Sequence, residues 1–250
     1  MDTCCNHKSN HKGPRERGLF VAGSRFSLSR RAYMGWLGAA WLGLQHSAYA
    51  SSFDDFFRAI AADSESDLVA LALRNFDLNT RDERMEPPLV MALRLGSLKA
   101  FNFLVSRPSV DVEARNSKDE SPLMMAALKA YLAQCQVLIK RGAHVNKTGW
   151  APLHYACSNA TEKALPVVQL LLDAHAYIDA ESPNRSTPLM MAAMYGHEKL
   201  APLLLESGAD ATLRNEQGLS ALDFAHRAGR TSLAEQIAQR VRLAAPKGKW

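Results

Sequence analysis

At 250 residues, with 47% hydrophobic and 22% charged side chains, 14 Gly and 11 Pro, the chain has length for one or two domains and a substantial core. That composition excludes disordered, collagen-like and multi-span membrane classes, and four Cys are too few for a disulfide scaffold. The net charge of +5 is localised: seven of the 30 basic and two of the 25 acidic residues lie in residues 1–50, which leaves 23 of each in residues 51–250. The basic character therefore belongs to the leader, and the remainder makes no case for nucleic-acid binding.

Residues 1–50 read as a targeting segment: basic up to Arg31, apolar from Tyr33 to Leu44, then His-Ser-Ala-Tyr-Ala before Ser51. Cleavage is expected after Ala50, leaving a domain over 51–245 and a short tail over 246–250. The apolar run is shorter than the ~20 residues a spanning helix needs, so no permanent anchor is expected. Ser29-Arg30-Arg31-Ala32-Tyr33-Met34 resembles the twin-arginine export signal, which implies a bacterial periplasmic destination, with the general secretory route as the alternative. An earlier-than-true start codon, with Met34 opening the leader, and a mitochondrial presequence are the rival readings.

Residues 51–80 place Phe56, Phe57, Ile60, Leu68, Leu71 and Leu73 at helical spacing and predict an N-terminal capping hairpin. One string then recurs: Pro87-Pro88-Leu89-Val90-Met91-Ala92-Leu93, Ser121-Pro122-Leu123-Met124-Met125-Ala126-Ala127, Ala151-Pro152-Leu153-His154-Tyr155-Ala156-Cys157, Thr187-Pro188-Leu189-Met190-Met191-Ala192-Ala193 and Ser220-Ala221-Leu222-Asp223-Phe224-Ala225-His226. The starts are 34, 30, 36 and 33 residues apart. A fixed period near 33 is the mark of a solenoid. Ser121 and Thr187 predict helix N-caps with Pro122 and Pro188 at the first helical position, where a missing N–H costs nothing. Leu189, Ala192 and Ala193 form an apolar stripe. Gly196 reads as a left-handed residue ending that helix, and Leu200, Leu203, Leu204 and Leu205 lie on a second one before Gly208. Pro166 and Pro202 are expected in the first turns of second helices, where proline is tolerated. Thr231 to Arg242 predicts the last second helix. Six helical hairpins result, each with an apolar face that only a neighbour can cover.

With the recurring Pro-Leu-x-x-Ala block, the leucine-rich second helix and endings such as Gly142-Ala143 and Gly208-Ala209, the sequence resembles the ankyrin repeat family over residues 53–243. The resemblance implies an all-α solenoid of about six repeats, two of them caps. It also implies a non-catalytic module that binds a protein, as a monomer, on a concave surface of projecting turns and first-helix faces.

By position, that surface is expected to carry Arg94, Leu95, Leu128, Lys129, Ser158, Asn159, Met194, Tyr195, Arg227 and Ala228, with Arg84, Met85, Lys118, Trp150, Asn184, Arg185 and Glu216 at turn tips. Arg84, Met85, Leu95, Leu128, Trp150, Arg185, Met194, Tyr195 and Glu216 are the candidate partner-binding residues. Among them Leu95, Leu128, Trp150, Met194 and Tyr195 are the apolar anchors, because large apolar groups facing water mark interfaces.

His154 and Cys157, three apart on one helix, resemble half a metal site or a nucleophile pair, yet the repeat gives both a core position. Met91, Met124, Met125, Met190, Met191 and Met194 could attract Cu(I), but aligned repeats bring equivalent packing residues together without any metal. A disulfide between Cys135 and Cys157 stays open, since export allows it and its Cα separation of under ~7 Å is not legible in sequence. No phosphate loop, His-Glu-x-x-His, Gly-x-Ser-x-Gly or Cys-x-x-Cys string occurs, so neither catalysis nor a cofactor is expected.

Overall fold

The computed structural model describes residues 51–244. The expected leader with its cleavage after Ala50, and the expected tail over 246–250, lie outside the described residues. Among the described residues twelve helices alternate with turns: α1 (51–61), α2 (Glu65–Leu73), α3 (Pro88–Leu95), α4 (Leu98–Val105), α5 (Pro122–Leu128), α6 (Leu132–Lys140), α7 (Pro152–Cys157), α8 (Ala164–Asp173), α9 (Pro188–Met194), α10 (Leu200–Glu206), α11 (Ala221–Arg227) and α12 (Thr231–Ala244). They pair in order into six hairpins. The first helices α3, α5, α7, α9 and α11 pack side by side; α2 meets α4, and α6, α8, α10 and α12 form a second row.

The sequence period becomes a packing period. Leu104, Leu138, Leu171, Leu204 and Ile237 occupy one register position of consecutive second helices and all are fully buried. Ala92, Ala126, Ala156, Ala192 and Ala225 are equally buried in the first helices, where a methyl group lets neighbouring backbones approach. Each buried Leu contributes about 1.5–3 kcal/mol by leaving water.

The helix starts follow from the caps. Ser121 Oγ accepts the Met124 N–H at 3.3 Å and Thr187 Oγ1 accepts that of Met190 at 3.4 Å, with proline at the first helical position of each. Ser220 and Asp223 cap reciprocally, the Asp223 carboxylate accepting the Ser220 N–H at 2.8 Å. Met124 and Met190 play the reverse role with sulfur: their thioethers accept the Ser121 and Thr187 N–H groups at 3.5 and 3.4 Å. Two of the six clustered methionines are thereby engaged in capping.

Ala151 has no capping hydroxyl, and His154 compensates. The Ala151 N–H donates to His154 Nδ1 at 3.2 Å, so the ring proton sits on Nε2, which donates to the Ser186 carbonyl at 3.0 Å. The ring is fully buried, and that burial holds its pKa below the usual histidine value, against the opposing pull of the backbone bonds.

Gly196 corrects the expectation. It is absent from the left-handed residues; its small size is needed instead because a Cβ there would lie 2.5 Å from the Cys157 carbonyl oxygen and 2.9 Å from Ala192. Pro166 and Pro202 fall in the first turns of α8 and α10, as expected. The longer link of the fourth hairpin occupies the residues between Cys157 and Ala164.

Candidate functional site

Four of the five turns that join one hairpin to the next are built on one side-chain acceptor. Asp82 Oδ1 takes the N–H groups of Arg84 and Glu86, Asn116 Oδ1 those of Lys118 and Glu120, and Asn215 Oδ1 those of Gln217 and Leu219; Ser182 Oγ takes that of Ser186. These short polar side chains fold the backbone locally without help from a sheet. Three residues before the first helical residue of each later hairpin the chain turns left-handed, at Met85, Asp119, Gly149, Arg185 and Gly218. Glycine does this freely, whereas Met85 and Arg185 hold exposed side chains in a conformation that disfavours them.

Beside these turns, the exposed ends of α5, α7 and α9 enclose a trough of about 440 Å³ lined by Leu128, Trp150, His154, Tyr155, Ser158, Met191 and Tyr195. Trp150 stands edge-on to His154 with ring centroids 5.4 Å apart. The histidine that pins α7 therefore also seats the indole. Trp150 remains 36% exposed and Tyr195 53% exposed, so the trough offers apolar surface to solvent rather than hiding it.

A polar chain borders the trough. Arg94 reaches Glu86 at 2.9 Å and Glu120 at 3.0 Å, and the other Glu120 oxygen accepts the Tyr155 hydroxyl at 3.3 Å. Asn116 Nδ2 donates to Glu120 at 2.7 Å. Burial favours the neutral Glu120, but Asn116 and Arg94 outweigh it and hold the carboxyl below its usual range. Burial would likewise lower Arg94, yet Glu86 and Glu120 raise it. The Tyr155 phenol is pushed up to about 12, first by burial and then by the adjacent Glu120 charge. Asp119 is held low by its bond to Lys147, with Arg115 on its other side.

Of the residues expected on that surface, Leu128, Trp150, Ser158 and Tyr195 come together in this trough. Arg84, Met85 and Leu95 are exposed on the second hairpin, outside it, and Met194 is half-buried without lining it. Arg185 is occupied by Glu181 at 3.0 Å, and Glu216 is exposed at the last turn, its N–H bonded to the Asn184 carbonyl at 3.1 Å. Tyr155 and Met191 are the lining residues that the position rule overlooked. Both occupy the fifth position of the recurring block, with Met91, Met125 and Phe224 as their equivalents, and that shared register was the available signal.

Cys135 and Cys157 are free, buried thiols. Burial pushes Cys135 up to about 12 and raises Cys157 as well, the opposite of an activated nucleophile. Among the described residues no helix is long and apolar enough to cross a membrane, and no three His, Cys, Asp or Glu gather to hold a metal ion.

A family model described as ankyrin repeats in three copies matches residues 56–148, 89–182 and 153–243. The chain is 33% identical over 128 residues to an ankyrin repeat and KH domain-containing protein of Caenorhabditis briggsae, covering 50% of this chain and 5% of that protein. It is 29% identical over 146 residues to the ankyrin repeat and SAM domain-containing protein 6 of Mus musculus, covering 58% and 13%. It is 27% identical over 161 residues to the human transient receptor potential cation channel subfamily A member 1, covering 62% and 14%. The chain thus spans a small fraction of the length of these relatives, and what it shares with them is the repeat. Ankyrin repeats imply a protein–protein interaction module and are generally non-catalytic scaffolds. Six stacked hairpins, the recurring capped first helices and the matching family model agree: the chain belongs to the ankyrin repeat family.

Proposed function

We propose that this chain is an exported, non-catalytic binding module that captures a protein partner on its first-helix face, in the trough between Trp150 and Tyr195. The observation that carries the reading is the convergence of Leu128, Trp150, Tyr155 and Tyr195 on one solvent-facing depression, in a fold whose other large apolar groups are mostly spent on stacking. Aromatic groups held rigidly at a surface lose little freedom on binding and dominate interface energetics. The Trp150–His154 contact and the Tyr155–Glu120 bond supply that rigidity.

The leader sequence of residues 1–50 supports a periplasmic site of action, and the exposed trough supports a monomeric binder awaiting a partner. A partner that is itself an enzyme, protected or modulated by the module, is the second reading. Affinity capture from the periplasmic fraction by wild type and by a Trp150→Ala/Tyr195→Ala variant tests the site. The partner should be lost from the variant while its melting transition is retained; undiminished capture by the variant defeats the placement. N-terminal sequencing of the mature protein tests the location, the expected first residue being Ser51.

A further inference from the structure

We infer that the trough selects a linear acidic peptide segment that inserts one aliphatic or aromatic side chain between Trp150 and Tyr195. This rests on the binding role proposed above and specifies the chemistry of the partner. The charge of the first-helix face is not balanced in kind. Its carboxylates are largely consumed within the fold: Glu86 and Glu120 by Arg94, Asp119 by Lys147 and Arg115, Glu181 by Arg185, and Asp223 by the Ser220 cap and Arg214. Lys118, Lys129 and Arg227 are exposed and have no side-chain partner among the described residues.

The placement of these cations follows from the repeat register. Lys129 is next to Leu128, which lines the trough, and occupies the position that Tyr195 holds two hairpins later. Lys118 stands at the tip of the turn into the third hairpin, and Arg227 takes the register position of Met194, one hairpin beyond Tyr195. The apolar floor thus has free positive charge on its first hairpin and on the hairpin after its last one. Glu83 is next to Arg84 in sequence, and Glu216 lies in the field of Arg185, which Glu181 already engages. A cavity of about 440 Å³ takes an anchor side chain or two, not a folded domain, and the flanking charges then act on residues either side of the anchor. Such exposed charges govern partner choice and association rate more than affinity.

The test uses the full chain and a library of random twelve-residue peptides displayed on phage. Selected peptides are titrated against wild type, Trp150→Ala and Lys129→Glu/Arg227→Glu, each first shown to keep the wild-type helical signal and melting. The inference expects enriched peptides carrying Asp or Glu on both sides of a Leu, Ile, Phe or Trp. It expects affinity to fall at least tenfold in Lys129→Glu/Arg227→Glu, and to weaken as salt rises. Peptides that lose binding in Trp150→Ala but show no acidic bias, or a basic one, and ignore the charge reversal would overturn the acidic specificity while leaving the trough as the binding site. Failure to enrich any peptide, peptides indifferent to Trp150→Ala, or self-association of the chain abolished by Trp150→Ala would overturn both this inference and the binding role it rests on.

Discussion

His154 donates from Nε2 to the carbonyl of Ser186 at 3.0 Å, so the ring that begins one first helix also grips the turn leading into the next. Because Nδ1 already accepts the Ala151 N–H, protonating the ring would remove an acceptor and leave a buried charge. The folded-state pKa lies below the unfolded value of about 6.5, so the stability linked to this group is complete above that pH. It is lost as pH falls toward the folded value. Replacing His154 by Gln should lower stability by about 2 kcal/mol at neutral pH and flatten the pH dependence between about 7.5 and 5.5, measured by urea unfolding at several pH values. Equal slopes for the two proteins in that window would contradict the assignment.

Gly196 and Gly142 predict unequal costs for the same substitution. A methyl group at Gly196 meets the Cys157 carbonyl and Ala192, so Gly196→Ala forces backbone to move and should cost about 2–3 kcal/mol. Gly142 has φ of +87° and nothing within 4 Å of an added Cβ, so Gly142→Ala pays backbone strain alone, about 1 kcal/mol. Denaturant unfolding of both variants checks the order; equal losses would show that the α7 to α9 approach is looser than described.

The repeat was legible because its markers are punctuation with fixed physical meaning. Thr187-Pro188 and Ser121-Pro122 can begin a helix and little else, and five such strings in phase determine both the hairpin count and the second helices that answer them. Gly196 was misread because glycine serves two needs, left-handed backbone and close contact, and only the neighbouring Cys157 carbonyl distinguishes them. Trp150 and Tyr195 were readable as apolar groups at positions facing water. Tyr155 and Met191 were not, since a large residue in the middle of a short capped helix looks like core until its neighbours are in place. The charge pairing on that face was illegible for the same reason: Arg94 and Glu120 are 26 residues apart and meet only through stacking.

Glu120→Gln should uncouple the polar chain. The carboxylate is the second cause, after burial, of the elevated Tyr155 pKa, so removing its charge should let that phenol ionise at lower pH. A difference titration of phenolate absorbance between wild type and Glu120→Gln reads the shift directly. Superimposable curves would place the Glu120 charge away from Tyr155.

In protein beginning at Ser51, without Cys4 and Cys5, Cys135 and Cys157 should be silent toward a water-soluble thiol reagent at pH 8 in the folded state and titrate as two thiols once it is unfolded. Burial both blocks access and disfavours the thiolate. Rapid labelling without denaturant would show that the packing around α6 and α7 opens readily.

The most direct test of the trough as a binding surface is the affinity of the captured partner for wild type against Trp150→Ala/Tyr195→Ala, with both proteins matched for helical content and melting. Loss of two hot-spot aromatics, at about 2 kcal/mol or more each, predicts a fall on the order of 1,000-fold. An affinity unchanged by the double substitution would contradict the account, because the partner would then be held somewhere other than the trough.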